Sequence, residues 1–258
     1  MKGYIVLFSP TGGTEKVAQI LSQEMKTAGF LDEIVKVDLC DRNFDFKSVD
    51  IKAEDFALIA VPSYGGRVPA LAAERLALVK GNGARAVLVC VYGNRDFDDT
   101  LVELQDIAHA CGFVSTAAIS AVARHSIANQ YGAGRPDDAD VQVLKEYAGR
   151  IMGKVREGYG SDLHIIGNRP YKKGMDMHLA PKAGNKCTEC GLCADVCPAG
   201  AIDKNSIRNT DKQKCISCMR CVAVCPHKAR DINGVLKFLV PLALKKSCKE
   251  RKQNQLFI

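Results

Sequence analysis

Residues 187–226 constrain this chain more than any other stretch. Cys187, Cys190, Cys193 and Cys197 are followed at once by Pro198, and Cys215, Cys218, Cys221 and Cys225 by Pro226. Each half reads Cys-x2-Cys-x2-Cys-x3-Cys-Pro, and the second begins 28 positions after the first. With two residues between successive thiols, each short loop turns its sulfur back toward one point. The fourth sulfur projects from the start of the next segment, where the proline stops that segment from folding back onto the same point. Paired Cys-x2-Cys motifs also hold zinc, but a zinc site needs four ligands and this array supplies eight in two matched sets. Disulfide frameworks suit small secreted domains, and nothing in the chain suggests export.

The doubled run resembles that of the bacterial ferredoxins, in which the fourth Cys of each run ligates the other cluster. Carried over position by position, the resemblance implies one 4Fe–4S cluster on Cys187, Cys190, Cys193 and Cys225. It implies a second on Cys215, Cys218, Cys221 and Cys197. Cys40, Cys90, Cys111 and Cys248 are scattered, and read as small buried hydrophobes.

At 258 residues the chain is long enough for a sizeable core and a small second domain. No apolar run approaches the ~20 residues of a spanning helix. The first apolar run gives way to Ser9-Pro10-Thr11-Gly12-Gly13, which reads as a strand and turn rather than a signal peptide, so a cytoplasmic protein is expected. Charge is divided unevenly. Residues 1–157 carry 18 Lys+Arg against 21 Asp+Glu, a net of −3, and residues 158–258 carry 18 against 8, a net of +10. Two oxidised clusters with their thiolates, at about −2 each, would bring the second half to roughly +6. A basic half favours redox partner proteins with an acidic docking face. Nucleic-acid binding is not expected, because the Lys and Arg residues are dispersed with few aromatics between them.

Before the cysteines, the pattern is that of alternating buried strands and helices. Gly3 to Phe8 suits a buried parallel strand, and Glu15 to Met25 carries Val17, Ile20, Leu21 and Met25 at helical spacing. Between them lies Ser9-Pro10-Thr11-Gly12-Gly13-Thr14. A hydroxyl- and glycine-rich turn opening a helix points backbone N–H groups at one place and makes an anion site. Neither Gly-x4-Gly-Lys-[Ser/Thr] nor Gly-x-Gly-x-x-Gly occurs. Taken alone, the turn also has a lesser reading as one that caps a helix without any ligand. It resembles the FMN phosphate loop of flavodoxins, Ser/Thr-x-Thr-Gly-x-Thr.

Two later loops bear on that choice. Phe56 to Val61 ends in Pro62-Ser63-Tyr64-Gly65-Gly66-Arg67-Val68-Pro69, and Ala84 to Val91 ends in Tyr92-Gly93-Asn94-Arg95-Asp96-Phe97. In a doubly wound sheet of order 2-1-3-4-5, the loops after strands 1, 3 and 4 converge at the switch point, where FMN sits in flavodoxins. A tyrosine there can stack on a flavin face, and a glycine peptide can turn its carbonyl toward the ring. The expected cofactor contacts are Ser9, Thr11, Gly12, Gly13 and Thr14, then Pro62, Ser63, Tyr64, Gly65 and Gly66, then Tyr92, Gly93, Asn94, Arg95, Asp96 and Phe97. Arg67 and Arg95 are open between a place at the flavin edge and a solvated surface. Ile34 to Leu39, a helix over Phe97 to Cys111, Val114 to Val122 and a final helix over Asp137 to Val155 complete the fold. His125, just beyond strand 5, reads as a strand cap before a cofactor contact.

The expected organisation is α/β: a flavodoxin-like doubly wound domain over 1–157, a linker over 158–185 and a small α+β ferredoxin-like domain with two 4Fe–4S clusters over 186–235. A basic tail over 236–258 follows. That tail could be an amphipathic membrane anchor. It reads better as a segment covering the second cluster or the linker, so no membrane association is expected. As a whole the sequence resembles the flavodoxin–ferredoxin fusions known as electron-transfer iron–sulfur flavoproteins, the Pro-Ser-Tyr-Gly-Gly-Arg-Val-Pro and Tyr-Gly-Asn-Arg-Asp stretches included. The resemblance implies electron transfer, with FMN coupling one-electron carriers to a two-electron step. A flavin-dependent reductase of a small molecule remains the alternative. The shortage of acids and bases near the flavin loops, His125 and Asp96 aside, tilts the reading toward a carrier.

Overall fold

The computed structural model describes residues 1–158, 163–174 and 179–258. In chain order, the first part runs β1 (Lys2–Leu7), α1 (Gly13–Thr27), β2 (Glu33–Asp38), β3 (Phe56–Pro62), α2 (Ala70–Leu76), β4 (Arg85–Tyr92), α3 (Thr100–Ala110), β5 (Val114–Val122) and α4 (Asp138–Glu157). The second part runs β6 (Lys182–Ala183), α5 (Leu192–Asp195), α6 (Arg220–Ala223), β7 (Arg230–Asp231), α7 (Gly234–Leu244) and β8 (Gln255–Phe257).

Strands β2-β1-β3-β4-β5 pair in parallel in that order, which is the doubly wound order expected. The period-two alternation of each strand feeds two cores. Tyr4, Val6, Ile59 and Val61 pack on one face with Leu76 of α2 and Leu101 and Leu104 of α3. Ile5, Leu7, Leu58 and Ala60 pack on the other with Val17, Leu21 and Met25 of α1 and Leu144 and Ile151 of α4. Such two-sided burial is why β3 and β4 read as continuous apolar runs. Helix α4 begins on a capping box in which the Asp137 side chain and Asp140 serve each other's backbone N–H groups.

The sheet has a sixth strand. Strand β8 pairs antiparallel with β5, in the register Ala118↔Phe257, Ile119↔Leu256 and Ser120↔Gln255. The expected basic tail over 236–258 is therefore a helix followed by an edge strand of the first part. Its anchor is polar: Asn254 Oδ1 accepts from Val122 N, its Nδ2 donates to Asp140, and its carbonyl accepts from Tyr147. Asp140 also pairs with Arg135, both side chains being 3% exposed, and Arg135 donates to the Lys252 carbonyl at 2.6 Å. Helix α7 packs Val240 against Leu179, Met219 and Ile232, so it covers both the linker and the second cysteine run, while Val235 and Phe238 face outward.

The described part of the linker is strapped to α3. Leu163 and Ile165 enter the core, and Asp99 accepts from the backbone N–H groups of Asn168 (2.8 Å) and Lys172 (2.6 Å). Burial works against the charge on Asp99, but those amides hold its carboxyl below the usual range. Residues 159–162 and 175–178 of the expected linker lie outside the described residues. Among the described residues, no helix is long and apolar enough to cross a membrane.

Candidate functional site

The two cysteine runs repeat each other in backbone geometry. Left-handed φ values occur at Glu189 and Ser217, at Gly191 and Met219, and at Gly200 and Lys228, each pair 28 residues apart. These conformations, rare for side chains other than glycine, are what turn the short loops back on themselves. After each Cys-Pro, the amide four residues beyond the cysteine donates to its sulfur: Ala201 N to Cys197 Sγ and Ala229 N to Cys225 Sγ, both at 3.3 Å.

The fourth cysteine of each run crosses to the other. Cys187, Cys190, Cys193 and Cys225 line one hollow, together with Ile207 and Arg230. Cys197 lies close enough to the thiols of Cys215, Cys218 and Cys221 to raise their pKa. Burial is the largest cause, and it pushes Cys218 up to about 12 and Cys221 to about 11. At Cys225 burial also opposes the thiolate, but amides of Ala229, His227 and Arg230 bring it below the ordinary thiol range. Four gathered thiols, three of them buried, are a donor set suited to a strongly cationic core. Among the described residues no three His, Cys, Asp or Glu close in as on a single ion; a cubane spreads its sulfurs over separate corners.

At the carboxyl end of the parallel strands lie two adjoining hollows. One is lined by Ser9, Thr11, Gly13 and Thr14 and runs to Tyr64, Tyr92, Gly93 and His125. Helix α1 starts at Gly12 with no side-chain cap, and Ser9 Oγ accepts from Glu15 N at 2.9 Å. The other, a cleft of about 790 Å³ open to solvent, is lined by Ser63, Tyr64, Gly65, Gly66, Tyr92, Gly93, Arg95, Asp96 and His125.

The loop after β3 closes as a tight turn, Tyr64 N to Arg67 O at 3.0 Å and Arg67 N to Tyr64 O at 3.2 Å. Gly65 and Gly66 both have positive φ, and a Cβ on Gly66 would lie 2.7 Å from Asp98 Cβ. At Gly93 the reason for glycine is approach rather than φ. A Cβ there would meet the His125 ring at 2.6 Å.

His125 Nδ1 accepts from the N–H groups of both Ile127 and Ala128 at 3.1 Å, which leaves Nε2–H as the donor of a neutral ring. Burial and then the Arg95 charge lower its pKa to about 4. Arg95 pairs with Asp98 at the cleft wall. Arg67 takes neither of its expected places. It holds Glu103 of α3 by two hydrogen bonds (2.8 and 2.7 Å) and the Lys172 carbonyl of the linker at 2.9 Å.

Three expected contacts, Gly12, Asn94 and Phe97, line neither hollow. Asn94 donates to the Cys248 and Glu250 carbonyls and accepts from Lys252 N, so it clasps the returning C-terminal segment. Phe97 packs in the core, its ring 5.6 Å from Tyr92 and 6.4 Å from Phe257. Neither partner segment could be seen from the loop's own sequence. Cys40, Cys90 and Cys248 are buried, as expected, and Cys111 half-buried.

Residues from the cysteine runs complete the cleft. Ile216 and Ser217, between Cys215 and Cys218, form part of its wall, as does Leu244 of α7. Burial raises the Tyr64 phenol pKa well above its ordinary value, and the thiols of Cys218, Cys40 and Cys215 push the same way. Further contacts fix the two parts together. Arg75 donates to Pro198 O at 2.7 Å, Arg42 to Ala194 O at 3.3 Å and Arg220 to Ser9 O at 3.4 Å.

Residues 186–230 match the family model of the 4Fe-4S dicluster domain. No curated protein matches the chain significantly. Among solved structures, the chain is similar to a flavodoxin of Streptococcus pneumonia TIGR4, at 21% identity and TM-score 0.42 over 60% of this chain and 99% of that one. It is similar also to oxidised flavodoxin 2 of Bacillus cereus, at 15% identity and TM-score 0.44, over 60% and 99% of the two chains. A third is the rubredoxin oxygen:oxidoreductase of Desulfovibrio gigas, at 17% identity and TM-score 0.44, over 60% and 36%. The fold assignment rests on the strand order itself. A doubly wound sheet of order 2-1-3-4-5 followed by a dicluster domain is the arrangement of the flavodoxin–ferredoxin fusions that the sequence resembles.

Proposed function

We propose that this protein carries electrons within one chain between two 4Fe–4S clusters and an FMN, and exchanges them with redox partner proteins. Cys187, Cys190, Cys193 and Cys225 would hold one cluster, and Cys215, Cys218, Cys221 and Cys197 the other. The uncapped start of α1, with Ser9, Thr11 and Thr14, would take the FMN phosphate. Tyr64, Tyr92, Gly93, Arg95, Asp96 and His125 would surround the ring. Bound there, the flavin supplies a centre that handles one or two electrons, matching one-electron clusters to a two-electron exchange.

The observation that carries this reading is the shared wall. Ile216 and Ser217 belong to the second cysteine run, yet they line the same cleft as the flavin-loop residues. Tyr64 lines both that cleft and a neighbouring hollow that Cys215 also lines. Ile216, Ser217 and Leu244 bring the cysteine-run part up against the cleft, which supports a carrier. His125 would offer its Nε2–H to the flavin while staying uncharged at neutral pH.

An anaerobic redox titration of the reconstituted protein, followed through both flavin and cluster spectra, tests the proposal. The expected result is releasable FMN, iron and sulfide for two clusters, and electron exchange among the centres within one molecule. Flavin and clusters that cannot exchange electrons would rule the proposal out.

A further inference from the structure

Arg230 is 2% exposed, and among the described residues no carboxylate lies within ion-pair distance of it. Its NH1 donates to the Ile207 carbonyl at 2.6 Å and lies 3.5 Å from Cys193 Sγ. Its NH2 donates to the carbonyls of Pro181 (3.0 Å) and Asn209 (3.3 Å) and to the Thr210 hydroxyl. Its Nε–H is buried without a partner. Carbonyl dipoles offset only part of the cost of burying a guanidinium, which ordinarily demands an anion in contact with it.

The groups around Arg230 able to carry negative charge are cysteines of both sets. Cys193, whose sulfur lies 3.5 Å from the guanidinium, and Cys225, which lines the same hollow, belong to one set, and Cys221 of the other set packs in one buried cluster with Cys193 and Ile207. Strand β7, paired with β6, fixes the residue between them. We propose that Arg230 is the countercharge shared by the two iron–sulfur clusters and that it raises the reduction potential of both. The inference rests on the two-cluster reading above. When a cluster takes one electron, its thiolate-bound core goes from about −2 to about −3, with no bond broken and no proton moved. A fixed positive charge stabilises the reduced form more than the oxidised one.

The test uses the full-length, anaerobically reconstituted chain as wild type, Arg230→Lys and Arg230→Met. Iron and sulfide are assayed, and cluster potentials are read by a titration monitored by electron paramagnetic resonance. Arg230→Met should make reduction of both clusters at least tenfold less favourable, about 59 mV for a one-electron step, or abolish cluster retention. Arg230→Lys should retain both clusters within that margin of wild type. The proposal is overturned if Arg230→Met keeps both clusters at wild-type potentials, if only one potential moves, or if Arg230→Lys is as damaged as Arg230→Met. Wild-type protein without two clusters would instead defeat the functional reading itself, whatever the variants do.

Discussion

The two parts of this molecule are stabilised by different means. In the doubly wound part, two thick layers of buried aliphatic side chains flank a sheet whose central strands are hidden on both faces. The dicluster part has helices of four residues, a two-stranded ladder, and small clusters of buried residues in which cysteines themselves take part. So little apolar burial seldom sustains a fold alone, and small metal-binding units commonly draw their stability from the metal. The contrast teaches that the first part should fold on hydrophobic burial and the second on its ligands, with the contacts between them as a bonus to the weaker partner.

Removing the clusters should give the largest effect. With iron stripped, amides across residues 186–230 should lose hydrogen-exchange protection while those of β1, β3 and β4 keep theirs. The narrower Cys197→Ala should lose about half of the bound iron, one cluster of two, and mainly from the site of Cys215, Cys218 and Cys221. Retention of wild-type iron would mean that the fourth cysteines do not cross.

Next in size is the clamp on the returning chain. Arg135→Ala removes the bidentate cation from buried Asp140, leaving only Arg251 at 3.5 Å, and should cost up to about 3–5 kcal/mol in denaturant unfolding. Exchange at Ser120 and its neighbours should rise as β8 loosens. Burial opposes the Asp140 charge, yet Arg135 and the Asp137 amide hold its carboxyl below the usual range. The stability tied to it is therefore present above the unfolded carboxylate pKa and is lost as the pH falls through the lower folded one.

Leu21→Ala in the core under β1 should cost about 2–5 kcal/mol and leave cluster content unchanged in the folded fraction. His125 gives the smallest and most local effect. Its pKa falls from 6.5 to about 4 on folding, so protonation favours the unfolded chain. Stability should decline between about pH 6.5 and pH 4 by on the order of 3 kcal/mol, and His125→Gln should remove that component of the acid profile. An unchanged profile would mean that the ring is charged in the folded state.

Legibility in the sequence followed the range of the interactions involved. Strands buried on both faces and the doubled cysteine spacing are local patterns, and the families they resemble imply the sheet order and the meeting of Cys225 with Cys187, Cys190 and Cys193. Helix α2 passed unremarked, although Ala-Leu-Ala-Ala-Glu-Arg-Leu after Pro69 is a run of good helix formers. Long-range partners were the real obstacle. Asn94 looked like a cofactor ligand because its actual acceptors, Cys248 O and Glu250 O, lie more than 150 residues away in sequence. Arg67 stays open in the sequence between a flavin-edge place and a solvated surface because nothing nearby announces Glu103. Strand β8 hides in Gln-Leu-Phe behind a basic run, with too few residues for any period to be visible.

The return of β8 to the sheet has one further consequence. The dicluster segment leaves the first part at the end of α4 and comes back to it beside β5, so it is fastened at both abutments like a bridge deck. A module hung from a single leash reaches its acceptor by swinging, and its transfer rate falls as the medium thickens. Here the span between cysteine sulfurs and cleft is set by construction, so internal electron flow should proceed at the same speed in dilute buffer and in viscous sucrose.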